Sequence, residues 1–182
     1  MRIIAGKYKG RVLKVPPVKL TRPTTDKTKE AIFNYLNNII DFEGILMCDI
    51  YAGSGSLGLE ALSRGAKEVH FVEKNFAVVK ILQQNISMLK AENKTKIFKL
   101  PAVRFSKMKN HARYNFIFAD PPFFKDDIHI VAKNILNNNF LEEDGIFLIE
   151  RSIQTREKDV ESFGVEPFKQ LGDSLIYSLS DI

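Results

Sequence analysis

Apolar residues along the chain gather into short, nearly unbroken runs, and between the runs lie stretches with helical spacing. The runs at 45–50, 68–73, 95–99, 114–119 and 145–150 read as strands. The spaced patterns at 56–64, 75–91 and 127–138 read as helices, the first of them closed by Gly65. Strands that show no polar alternation are buried on both faces, which calls for helices on each side of a mostly parallel sheet. Ahead of this core, 2–5 and 11–15 are β-prone and flank Gly6-Lys7-Tyr8-Lys9-Gly10, a hairpin that Pro16-Pro17 ends. A helix capped by Thr25 or Asp26 follows, with Thr28, Ile32, Tyr35, Leu36 and Ile39 on one face. At the other end, 168–171 and 175–179 form a closing antiparallel hairpin with Gly172-Asp173 as its turn. The pattern predicts one domain over 1–182: a hairpin-and-helix extension over 1–40, then a Rossmann-like α/β core over 41–182 with a seven-stranded, mostly parallel sheet.

Composition narrows the setting. With 45% hydrophobic and 27% charged residues, the 182-residue chain has the make-up of an ordinary globular protein. No run approaches the roughly 20 apolar residues that cross a bilayer, and the start lacks the apolar core of a secretion signal, so a cytoplasmic protein is expected. The lone cysteine, Cys48, lies in an apolar run and reads as a buried, inert thiol. His70, His111 and His129 are scattered without ligand spacing, so no metal is expected.

The net charge of +5 is unevenly spread. Residues 1–30 hold nine Lys or Arg against Asp26 and Glu30, a surplus of seven. Placed before an α/β core with a ligand loop, such a cluster points to a polyanion, and Arg2, Lys7, Lys9, Arg11 and Arg22 are the candidate phosphate contacts.

That ligand loop runs from Asp49 through Ile50-Tyr51-Ala52-Gly53-Ser54-Gly55-Ser56-Leu57-Gly58, out of the first core strand and into a helix. Gly53 and Gly55 let the backbone approach a ligand, and Gly58 lets the helix lie against the sheet. Ala52, Ser54 and the acid Glu73, followed by Lys74 at the end of the second strand, complete a nucleoside site. The glycine spacing also satisfies the dinucleotide pattern, so the loop alone leaves S-adenosylmethionine and a nicotinamide dinucleotide both open. Asp49 favours the former, because a carboxylate beside the loop attracts a cationic methionine end and repels a diphosphate.

The strand at 114–119 runs into Asp120-Pro121-Pro122-Phe123 at the carboxyl edge of the sheet, where open α/β folds bind ligands. Two prolines stiffen this turn and remove two N–H donors, leaving acceptors only. A base amino group is a double donor, so Asp120 and the Pro121 carbonyl can hold its hydrogens while Phe123 stacks on the base, a contact of about 1–3 kcal/mol. These four residues are the candidate catalytic set.

Together these residues resemble the bacterial 16S rRNA (guanine-N2)-methyltransferases, the ribosomal RNA small subunit methyltransferase D family. The likeness rests on Arg2-Ile3-Ile4-Ala5-Gly6 with Gly10-Arg11, Arg22-Pro23-Thr24-Thr25-Asp26 with Glu30 and Phe33-Asn34, the loop from Ala52 to Arg64, and Asp120-Pro121-Pro122-Phe123. It implies the class I S-adenosylmethionine-dependent methyltransferase fold, monomeric action and methylation of a guanine N2 in 16S rRNA of the assembling small subunit. It also implies that Arg22, Thr24 and Thr25 lie beside cofactor and base. Where such enzymes often carry an acid or amide near the adenine, this chain has Lys99-Leu100-Pro101-Ala102, so backbone groups around Ala102 and Val103 are expected to serve. Amino-methyltransferases of DNA adenine or protein glutamine use a similar turn, usually with Asn at the position of Asp120, and remain an alternative, as does a nicotinamide-dependent oxidoreductase.

Overall fold

The computed structural model describes residues 1–17, 26–122 and 126–180. Its elements in chain order are α1 (Asp26–Leu36), β1 (Leu46–Ile50), α2 (Ser56–Ser63), β2 (Glu68–Val72), α3 (Phe76–Met88), β3 (Thr95–Phe98), α4 (Ala102–Phe105), β4 (Tyr114–Ala119), α5 (Asp127–Asn137), β5 (Leu141–Ser152), α6 (Arg156–Phe163), β6 (Lys169–Leu171) and β7 (Ser174–Ser178). The seven strands form one sheet in the order β3-β2-β1-β4-β5-β7-β6. The pairs from β3 to β5 are parallel, while β7 runs antiparallel to β5 and to β6.

Period-two alternation within the strands divides the core between two faces. Met47, Val69, Phe71, Phe116, Phe118, Ile146 and Leu148 meet α1, α2 and α3 on one side. Cys48, Ile50, Val72, Ile117, Ala119, Phe147 and Ile149 meet α4, α5 and α6 on the other. Because helices cover both faces, neither register of a strand is polar, which explains the unbroken apolar runs. Cys48 lies fully buried, and burial first, then the Asp49 charge, raises its thiol well above the ordinary value.

The N-terminal hairpin is narrower than its composition predicts: 2–5 and 11–15 pair through one antiparallel bridge, Arg2 with Val12, rather than as two strands. The Ile3 amide donates to the Arg11 carbonyl and the Leu13 amide to the Met1 carbonyl, both at 3.0 Å, and the core holds the segments as well. The buried carboxylate of Glu60 on α2 accepts the amides of Ile4 (2.8 Å) and Ala5 (3.0 Å) and faces Lys29 Nζ (3.4 Å) and Arg64 Nε (3.0 Å). Two helices go unpredicted. α4 is a single turn that Pro101 starts, and α6 is polar along most of its length, so neither has an apolar stripe to read. Likewise β5 begins at Leu141, four residues before the predicted strand, because its polar first turn sits outside the apolar run.

Candidate active site

Parallel strands point their carboxyl ends at one edge, and this edge collects the sequence-predicted residues. Asp49 ends up inside β1, 1% exposed, and its Oδ2 accepts the Gly58 amide at 2.9 Å. The side chain thus ties the strand to the first turns of α2 and sits beneath the glycine loop. Burial pushes its carboxyl up to about 7; the Gly58 amide lowers it, and the charges of Asp120 and Glu73 raise it further.

The loop's own geometry uses its glycines. Gly53 and Gly55 have φ of 55° and 80°, in the left-handed region. A Cβ at Gly55 would stand 2.3 Å from Leu82 Cδ1, and one at Gly58 would stand 2.4 Å from the Phe71 ring. Ala52 is held by its amide on the Val72 carbonyl at 3.1 Å. Ser54 is buried, and its carbonyl accepts Asn85 Nδ2 at 2.9 Å. Glu73, half-buried at the end of β2, accepts the amides of Gly53 (3.2 Å) and Asn75 (2.7 Å), while Lys74 next to it is exposed. Ala102 and Val103 form the first turn of α4, where amides lack intrahelical acceptors.

The acceptor turn lies directly alongside. The Asp120 amide donates to the Ile50 carbonyl at 3.3 Å, and Asp120 is half-buried with Pro121 buried and Pro122 exposed. Phe123, like Arg22, Thr24 and Thr25, lies outside the described residues. Three carboxylates, Asp49, Glu73 and Asp120, therefore surround the loop closely enough for the other two to raise Asp49. This field suits a cationic ligand and opposes a diphosphate.

Two residues that sequence reading passes over join the site. Tyr51 adopts φ 64°, rare for a bulky residue, and its hydroxyl donates to Asp127 Oδ1 at 3.2 Å. Its signal in the sequence is weak, since nothing local distinguishes a left-handed tyrosine from a strand end. Asn85, fully buried on α3, bridges the loop at Ser54 to both backbone groups of Lys14. An asparagine inside an otherwise apolar helical stripe is the readable trace of that link.

Below the turn, Arg151 at the end of β5 and Asp159 on α6 are both fully buried and pair at 2.9 Å. Asp159 also accepts Thr155 Oγ1 and faces His129 Nε2 at 2.7 Å. The histidines serve the structure: His129 in this network, His70 against Tyr114 and Glu68, His111 stacked on Phe140. Among the described residues no group of three or more His, Cys, Asp or Glu could hold a metal ion, and no helix is long and apolar enough to cross a membrane.

The predicted phosphate contacts divide by position. Arg2, Lys7, Lys9 and Arg11 are all exposed. Lys7 and Tyr8 bond Ser63 at the carboxyl end of α2, whereas the glycine loop lies at its amino end. The Lys7 backbone is thus separated from the glycine loop by the eight-residue length of α2, about 12 Å.

Known proteins share this architecture. The Escherichia coli (strain K12) protein named ribosomal RNA small subunit methyltransferase D is 36% identical over 154 residues, covering 85% of this chain and 76% of its own. A hypothetical protein of Thermus thermophilus superposes with a TM-score of 0.81 at 27% identity, covering 98% of each chain. A Lactobacillus delbrueckii ribosomal protein L11 methylase shares the fold at a TM-score of 0.66 and 14% identity, over 85% of this chain and 78% of that one. The fold is that of the class I S-adenosylmethionine-dependent methyltransferases. Residues 1–178 match the family described as Conserved hypothetical protein 95, and the chain belongs to that family, the one of ribosomal RNA small subunit methyltransferase D.

Proposed function

We propose that this chain is an rRNA methyltransferase, and that it moves a methyl group from S-adenosylmethionine to the exocyclic N2 amino group of a guanine in 16S rRNA of the assembling small subunit. The observation that carries the reading is the Asp120–Ile50 junction, which sets a donor-poor acceptor turn against a glycine loop ringed by three carboxylates. The name of the Escherichia coli relative supports the substrate class.

S-Adenosylmethionine brings its methyl group already activated on a sulfonium. The residues present fit it: Gly53 and Gly55 open a close backbone approach, Glu73 suits ribose hydroxyls, and Asp49 and Asp120 favour the two positive charges. Lys74, Ala102 and Val103 border the nucleoside end, and by the family's pattern Arg22, Thr24 and Thr25 join them.

What remains for the protein is chiefly positioning, worth roughly 7–11 kcal/mol when reacting groups are well aligned. Asp120 and the Pro121 carbonyl accept the two N–H bonds of the base amine and aim its lone pair. When bound, S-adenosylmethionine would supply the methyl group and retain the C–S bond electrons on its sulfur, and Asp120 would take the proton that the methylated nitrogen sheds. An N2 amine must present its lone pair from above the base plane, so the nucleotide is unstacked, and Phe123 stacks it.

Labelled methyl transfer to unmodified small-subunit RNA and particles, followed by nucleoside analysis, tests the assignment. Label in N2-methylguanine is the expected result; label in N6-methyladenine or in protein, or tight binding of NADH in place of S-adenosylhomocysteine, overturns it.

A further inference from the structure

We infer that the exposed face of α3, together with Lys14 of the N-terminal segment, is a stacking and phosphate track for an unpaired RNA strand flanking the target nucleotide. The inference rests on the rRNA reading above and adds a surface to it. Phe76, the first residue of α3, is 65% exposed, and Lys80 Nζ lies 4.9 Å from the centre of its ring. Isolated exposed apolar residues are common and carry no meaning alone. Phe76 is not isolated in this sense, because it heads an exposed row in which Phe76, Lys80, Gln84 and Met88 follow at four-residue spacing.

Charge selects the occupant. α3 contains no Asp or Glu, and Lys14 reaches onto it, with Nζ 3.1 Å from Gln84 Oε1. The backbone sets Lys14 there, since Asn85 on the same helix holds both its amide and its carbonyl at 2.8 and 2.9 Å. Glu92, the first acid after the helix, bonds Ser87 beside the end of the row. By contrast, the exposed run Glu142-Glu143-Asp144 at the start of β5 repels a polyanion. An aromatic face among lysines without carboxylates matches successive bases and phosphates of a single strand, whereas duplex bases are already stacked. The same Asn85 that fixes Lys14 also holds the Ser54 carbonyl, so the track is anchored to the cofactor loop.

The chain has no tryptophan, so Phe76→Trp creates a single reporter. On saturation with unmodified, protein-free small-subunit RNA its emission should be quenched, while Val165→Trp, beyond α6, should not respond. Phe76→Ala should weaken RNA binding about 5- to 100-fold, with S-adenosylhomocysteine affinity unchanged. Lys80→Ala and Lys14→Ala should each lower the salt slope by about 0.7. Emission unchanged while the RNA is bound and methylated overturns the track and leaves the methyltransferase reading standing. Emission that responds to assembled particles but not to protein-free RNA overturns it in favour of a protein contact. If neither RNA nor particles are methylated at all, the underlying reading fails as well.

Discussion

The Tyr51 hydroxyl donates to Asp127 Oδ1 at 3.2 Å, joining the loop that leaves β1 to the helix that follows the Asp120 turn. The Asp120 amide meets the Ile50 carbonyl one residue earlier, at the end of β1. Ile50 and Tyr51, the last residue of β1 and the one after it, thus hold Asp120 and the first residue of α5. Burial first, then Asp127, raises the Tyr51 phenol far above its ordinary value, so it remains a donor throughout the working pH range. A left-handed conformation costs a bulky residue about 1–2 kcal/mol; here it directs the ring toward Asp127.

From this follows a division of effects for Tyr51→Phe. Loss of one hydrogen bond, about 0.5–1.5 kcal/mol, loosens the acceptor turn and leaves the glycines in place. Transfer to RNA should slow by about 2- to 10-fold, with S-adenosylhomocysteine affinity unchanged. Initial rates beside calorimetry decide it, and an equal loss in both would make Tyr51 a cofactor-loop prop instead.

On the proposed reading, Asp120→Ala removes the acceptor for the base amine. Methyl transfer should become undetectable while cofactor affinity stays within about threefold, the loss expected for one half-exposed, screened charge. Loss of cofactor binding together with activity would assign Asp120 to folding of the edge.

How much of this was legible in the residues varies with the range of the interaction. The strands, the glycine loop and the acceptor turn announce themselves locally, through apolar runs, positive-φ glycines and a double proline. Tyr51 with Asp127 and Asn85 with Lys14 lie 76 and 71 residues apart, and only the parallel crossovers bring them together. The basic segment illustrates the same limit: its charge was countable, yet the bonds of Lys7 and Tyr8 to Ser63 place Lys7 at the far end of α2. The polar α6 had no full stripe to reveal it, because only Val160 and Phe163 reach the apolar core while its fully buried residue is the charged Asp159.

One buried carboxylate holds the start of the N-terminal segment. Glu60→Ala removes the carboxylate that faces the wholly buried Lys29 and releases the Ile4 and Ala5 amides. Breaking such a pair costs about 3–5 kcal/mol, which for a chain of this size lowers Tm by roughly 6–20 °C. Trypsin should then cut within residues 2–14 under conditions where the parent resists. An unchanged melting curve would show that the segment contributes nothing to stability.

Asp49 gives the fold a pH dependence of definite sign. Its carboxyl stands at about 7 in the folded chain against an ordinary 3.8, chiefly through burial. Between those values the folded state binds a proton that the unfolded state has released, so this contribution to stability is full at about pH 4 and declines as pH rises to 7. A cationic ligand favours the ionised form, so S-adenosylmethionine should bind more tightly as pH rises from about 5.5 to 7 and release a proton on binding. Asp49→Asn retains an acceptor for the Gly58 amide but cannot titrate. Its stability should stay level across the window where the parent's falls, and its cofactor affinity should be weaker and independent of pH. Melting curves at several pH values, with calorimetry in two buffers of different ionisation enthalpy, measure both, and parallel profiles for variant and parent would remove Asp49 from the cofactor's electrostatics.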